Sequence, residues 1–121
     1  MSTSQILIIE DNFDNMILIK MILEREKFAV FSSKNGEEGL EQARRSSPDL
    51  IVLDLDLPVI DGWEVLKEIK ADPNTQNIPV IIVTAHLLPG ENDRVLAAGG
   101  SGYVSKPFRV TELLNAIRKI M

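Results

Sequence analysis

The chain has no cysteine, which removes disulfides, thiolate zinc sites and thiol nucleophiles together and accords with a reducing cytosol. It has no long hydrophobic run either. Met1 to Gln5 is short and polar, and the apolar run after it meets Glu10 and Asp11 too soon for a signal peptide or a membrane span. The basic residues form no stripe, and with a formal charge of -5 this argues against direct nucleic-acid binding. No repeat, low-complexity tract or charge block divides the sequence. Its 121 residues therefore read as one soluble, cytoplasmic domain spanning 1–121, long enough to bury a core without staples.

What is present is alternation. Short runs rich in Ile and Val recur at Ile6 to Ile9, Ala29 to Phe31, Leu50 to Leu53, Val80 to Val83 and Tyr103 to Val104, and these read as strands. Helical spacing fills the intervals: Asn12 to Glu26, Gly36 to Ser46, Gly62 to Ala71, Pro89 to Ala98 and Val110 to Ile120. Boundary chemistry agrees. Asp61 with Glu64 suits a capping box, Pro89 a first turn, and Gly99 with Gly100 a helix end. Val110, Leu113, Leu114 and Ile117 follow the i, i+3, i+4, i+7 pattern of an amphipathic helix. The strands lack strict polar alternation, as expected when both faces are covered, so the predicted fold is a doubly wound α/β domain with a parallel sheet.

In such sheets function gathers beyond the carboxyl ends of the strands. The first strand delivers Glu10-Asp11-Asn12, the third Asp54-Leu55-Asp56, the fourth Thr84-Ala85-His86 and the fifth Ser105-Lys106-Pro107. Asp54 and Asp56 project together only if the third strand continues that far. Two like charges about 4 Å apart, at an effective dielectric near 20, repel by about 4 kcal/mol, so clustered carboxylates call for a proton or a cation. Oxygen donors without His or Cys select Mg²⁺, with Mn²⁺ as a substitute, and Mg²⁺ leaves positions open for a phosphate. Lys106 offers a mobile positive charge to a phosphoryl oxygen and Thr84 a hydroxyl donor. With neither a Ser-His pair nor a Cys in view, the nucleophile is a carboxylate, and Asp54 at the end of the central run is best placed.

The motifs together resemble the receiver domain of two-component response regulators along essentially the whole chain. Ile6-Leu7-Ile8-Ile9-Glu10-Asp11-Asn12 is similar to that family's acidic pair, and Asp54-Leu55-Asp56-Leu57-Pro58 with Asp61-Gly62 to its phosphorylation loop. Val83-Thr84-Ala85 is similar to its switch motif, and Gly102 to Phe108 to its lysine-proline motif. The resemblance implies a flavodoxin-like sheet of strand order 2-1-3-4-5. It implies that Asp54 takes a phosphoryl group from a histidine kinase or histidine phosphotransfer protein, making the chain a signalling switch that catalyses only its own phosphorylation and dephosphorylation. Asp11, Asp54 and the backbone carbonyl of Asp56 would ligate the metal, with Glu10 acting through water, and Thr84 and Lys106 would hold the phosphoryl oxygens. Coupled movement of Thr84 and Tyr103 would reshape the face of the fourth helix, fifth strand and fifth helix for a downstream effector. Asp56 and His86 would flank the path of attacking water. The same resemblance implies a monomer or a weak phosphorylation-dependent dimer, as a stand-alone regulator or as the receiver of a larger one.

Simpler roles stand beside these. Asp61 reads as a helix cap, Trp63 and Phe108 as packing residues, His86 as an incidental loop residue, and Tyr103 as either switch or core. Pro107 restricts the backbone before it and is free to take the cis form, which the family uses to aim the lysine inward. Two departures from the family pattern are the Glu-Asp order of the acidic pair and the extra acid at Asp56. An aspartate-nucleophile phosphatase of the haloacid dehalogenase type shares Asp54-x-Asp56, but carries that signature on its first strand. A flavin module on the same fold class would need a phosphate-cradling first loop, which is missing.

Overall fold

The computed structural model describes residues 4–85 and 90–121. Strands run over Gln5–Ile9 (β1), Ala29–Ser33 (β2), Leu50–Asp54 (β3), Val80–Thr84 (β4) and Gly102–Ser105 (β5). Helices run over Phe13–Arg25 (α1), Gly36–Ser46 (α2), Gly62–Ala71 (α3), Glu91–Ala97 (α4) and Val110–Arg118 (α5). All strand pairs are parallel, in the order β2-β1-β3-β4-β5.

The apolar strands divide their side chains between two cores, because successive residues of a strand point to opposite faces. Leu7, Ile9, Ile51, Leu53, Val80 and Ile82 meet Leu40 and Ala43 of α2, Val65, Leu66 and Ile69 of α3, and Val95 of α4. Ile6, Ile8, Val52, Ile81, Val83 and Val104 meet Ile19 and Leu23 of α1 and Leu113 and Ile117 of α5. Each buried Val, Leu or Ile among them contributes roughly 1.5–3 kcal/mol through burial. Two covered faces are why the strand runs read as continuous rather than alternating.

The order has a consequence for the site. From β1 the chain passes to β2 on one side, then returns across β1 to β3, so the loops leaving β1 and β3 part at their carboxyl ends. The crevice they leave is where β1 delivers Glu10 and β3 delivers Asp54.

Helix ends follow local chemistry. The Oδ1 atoms of Asn12, Asn35 and Asp61 accept from the N–H groups of Asn15 (3.0 Å), Glu38 (2.9 Å) and Glu64 (3.0 Å), capping α1, α2 and α3. α4 is different. It follows Gly90 at φ 87 and has no side-chain N-cap. It closes through Gly99 at φ 99, with Gly99 N–H on the Leu96 carbonyl (3.1 Å) and Gly100 N–H on that of Val95 (2.9 Å). The left-handed Gly90 places the helix start at Glu91 rather than at Pro89; Pro89 lies outside the described residues, as does His86. The other expected elements occur with bounds shifted by no more than two residues. Val110 keeps its place in the apolar spacing of α5 yet is 45% exposed.

Candidate functional site

β3 ends at Asp54, and this settles where the two acids of the third strand go. The Asp54 carboxylate is buried at 5% exposure, whereas Asp56, already in the loop, is exposed. The two do not project together, because the period-two geometry of the strand stops before Asp56. Instead the Asp56 N–H donates to Asp54 Oδ1 at 3.0 Å and fixes that oxygen. The loop is held down by Gly62, whose N–H donates to the Leu55 carbonyl at 2.9 Å. A Cβ at position 62 would come within 2.4 Å of the Asp54 carbonyl oxygen, so only glycine lets α3 start this close to the end of β3.

Across the crevice β1 delivers Glu10, buried at 3%, and the exposed Asp11. Carboxylate oxygens of Glu10, Asp11 and Asp54 all lie within 4.8 Å of one another. β5 supplies the counter-charge. The Lys106–Pro107 bond is cis, and the Lys106 ammonium sits 2.7 Å from Glu10 Oε1 and 3.3 Å from Asp54 Oδ2. Burial, together with the hydrogen bond and charge of Asp54, pushes the Glu10 carboxyl up to about 7, against the opposing pull of Lys106. For Lys106 burial acts to lower the pKa, but the two carboxylates outweigh it and hold the ammonium above its usual value.

Three carboxylates face one ammonium, and the donor set is all oxygen. Such a set fits a hard divalent cation, whose charge would balance the remainder. The close Glu10–Lys106 pair was not anticipated from the sequence, since it joins residues 96 positions apart and depends on the order of β1, β3 and β5.

Thr84 is buried at the end of β4, and its carbonyl accepts the Lys106 N–H at 2.8 Å. With Asp56, Leu57, Trp63 and Glu91 it lines a hollow of about 290 Å³. Tyr103 is not a core residue. It is 37% exposed, and its hydroxyl accepts from Asn92 Nδ2 of α4 at 3.0 Å. It lies in register with Ile82, two residues before Thr84, so the alternation of the strands puts Tyr103 and Thr84 on the same face of the sheet. Trp63 is half-buried against the α2–α3 side of the core, with the Arg94 guanidinium 3.9 Å from its ring centre. Phe108 packs against the opposite core. Asp61 caps α3; of the expected capping box, the half formed by its own side chain is the one observed.

Residues 6–118 match the family model of the response regulator receiver domain. The chain belongs to that family. This receiver domain, a component of two-component signalling, is 36% identical over 119 residues to the polar-differentiation response regulator DivK of Brucella ovis, covering 98% of this chain and 97% of that one. The DivK of Brucella anthropi is 37% identical over 116 residues, covering 96% and 94%. Among solved structures, the receiver domain of the sensor histidine kinase PA1611 from Pseudomonas aeruginosa, with magnesium coordinated in its active-site cleft, superposes with a TM-score of 0.89 at 33% identity, covering 98% of both chains. Vibrio cholerae CheY4 shares the fold with a TM-score of 0.92 at 22% identity, covering 99% of this receiver domain and 100% of that chain. The phosphatase alternative falls with this assignment, and Asp56, which it required as an acid beside Asp54, lies outside the carboxylate group. No helix among the described residues is long and apolar enough to cross a membrane.

Proposed function

We propose that this receiver domain accepts a phosphoryl group from phosphohistidine onto Asp54 and uses it to switch the face formed by α4, β5 and α5. The observation that carries the reading is the buried Asp54 carboxylate, grouped with those of Glu10 and Asp11 and 3.3 Å from the Lys106 ammonium. Asp11 and Asp54, with the main-chain carbonyl of Asp56, would hold Mg²⁺ or Mn²⁺ directly and Glu10 through water. When bound, the metal supplies positive charge against the phosphoryl oxygens.

The protein's own groups do the rest by position. Asp56 N–H engages Asp54 Oδ1, leaving Oδ2 on the Lys106 side for bond formation. An Asp54 oxygen attacks phosphorus as the donor's N–P bond breaks, and the bonding pair stays with the imidazole nitrogen. The Lys106 ammonium and the Thr84 hydroxyl donate to the phosphoryl oxygens, a task of orientation and charge that phosphoryl transfer chiefly requires. Hydrolysis attacks the same phosphorus with water, breaks its bond to Asp54 and restores the carboxylate. Asp56, in the loop after Asp54, influences the lifetime; the family resemblance gives His86 a like influence.

Thr84 drawn to the phosphoryl group vacates room on the face it shares with Tyr103, and the Tyr103 ring moves inward. The modification thereby favours one of two pre-existing arrangements through contacts made in that arrangement alone. The donors are a histidine kinase or a histidine phosphotransfer protein, and the reader is a downstream effector docking on the switched face. The 121-residue chain acts as a single receiver unit, monomeric or weakly dimeric when phosphorylated.

The test is intact-protein mass after incubation with acetyl phosphate. A base-labile gain of one phosphoryl group is expected in wild type with Mg²⁺, and none in Asp54→Asn or without metal. A gain that persists in Asp54→Asn would overturn the assignment.

A further inference from the structure

α4 is held differently from the other helices. It has seven residues, a single buried one (Val95) and no side-chain N-cap. Beside the buried Val95, two side-chain contacts hold it from opposite flanks. On the β5 flank Asn92 Nδ2 donates to Tyr103 Oη at 3.0 Å. On the α3 flank the Arg94 guanidinium lies 3.9 Å from the centre of the Trp63 ring. This stack crosses a groove of about 580 Å³ that runs between the two helices and is also lined by Lys67, Lys70 and Ala98. Asn92 and Arg94 are two residues apart on one short helix, so a shift of α4 large enough to release one contact must disturb the other.

From this geometry we infer that Asn92 and Arg94 are coupled positioning residues. The Asn92–Tyr103 bond keeps α4 where Arg94 covers Trp63, and loss of that bond withdraws Arg94 and widens the groove between α3 and α4. The inference rests on the switch reading above for its trigger, since Tyr103 moving inward leaves Asn92 without its acceptor. The contacts themselves are independent of that trigger. An exposed cation–π pair of this kind is comparable in strength to one side-chain hydrogen bond, so neither contact dominates and the helix can be tipped by either.

Trp63 is the sole tryptophan, so its fluorescence reads the stack directly. Without any phosphoryl donor, Asn92→Ala and Tyr103→Phe should each shift Trp63 emission to the red and raise its quenching by acrylamide. The double variant should shift it no further than either single one. Arg94→Gln sets the fully uncovered limit. Asn92→Asp, which accepts from the Tyr103 hydroxyl instead of donating to it, should restore wild-type emission, an outcome that mere loosening of the helix would not give. If Asn92→Ala and Tyr103→Phe leave emission unchanged, or if their shifts add, the coupling is overturned. In wild type carrying the phosphoryl group on Asp54 by intact mass, emission should move toward the Asn92→Ala value. Emission that holds despite the mass gain overturns the inference and leaves the acceptor assignment standing. A missing mass gain overturns the acceptor assignment, while the donor-free comparison still decides the coupling.

Discussion

The two rims of the sheet handle buried polarity in opposite ways. At the amino rim, among the described residues, polar groups meet matched partners. Lys70 donates to the carbonyls of Gln76 (3.1 Å) and Ile78 (2.7 Å), Thr75 Oγ1 to that of Ile69 (2.7 Å), and the Gln5 N–H to Asp49 Oδ2 (2.7 Å). At the carboxyl rim three carboxylates crowd together and only two of them, Glu10 and Asp54, reach the one ammonium. Burial lowers the Lys70 pKa, since its neighbours are neutral carbonyls, while Lys106, also withdrawn from solvent, is held above its usual value by two acids. A half-buried lysine is thus uninformative by itself. Excess charge of one sign around it separates a site that awaits a ligand from a joint that is already closed.

The contrast is sharpest when Lys106 is removed. Lys106→Met leaves Glu10 and Asp54 facing each other below solvent, and above neutral pH the metal-free protein should lose about 3 kcal/mol of stability in a denaturant titration. Mg²⁺ should return part of it. At the amino rim Thr75→Val leaves the Ile69 carbonyl without a partner, and the expected loss is about 1–3 kcal/mol, indifferent to Mg²⁺. A rescue of Thr75→Val by Mg²⁺ would erase the distinction between the rims.

A smaller effect is the pH slope from Glu10. Its carboxyl is raised from 4.5 to about 7 in the folded protein, so the folded form keeps a proton that the unfolded chain gives up across that interval. The resulting stabilisation is complete below about 4.5 and is lost as pH rises through about 7. Metal-free wild type should show this decline in unfolding free energy by denaturant titration, with a slope of up to about 1.4 kcal/mol per pH unit, and Glu10→Gln should lack it. Smallest of all is Arg44→Gln, which breaks the exposed 2.7 Å pair with Asp72 near the amino rim; its effect on the midpoint should fall below that of Thr75→Val and should not respond to Mg²⁺.

Much of the carboxyl rim was legible in the sequence. The Ile- and Val-rich runs located the strands, and the residues just past them, Glu10-Asp11, Asp54, Thr84 and Lys106, are where a doubly wound sheet gathers its loops. What could not be read was anything set by the last residue of an element. Asp56 diverges from Asp54 because β3 stops one residue after Leu53, and no apolar pattern marks that stop. The Glu10–Lys106 pair needed the spatial order of the strands. Tyr103 looked equally like core because β5 is an edge strand whose outer residues keep the apolar character of inner ones. The start of α4 depended on a left-handed Gly90 that the nearby proline obscured.

The central claim is that the carboxyl rim carries negative charge in excess so that a divalent cation can bind and ready Asp54. Calorimetric titration of Mg²⁺ into wild type and Asp54→Asn tests it most directly. The account predicts one site in wild type that is lost or strongly weakened in the variant; equal binding by both proteins, or none by wild type, would contradict it.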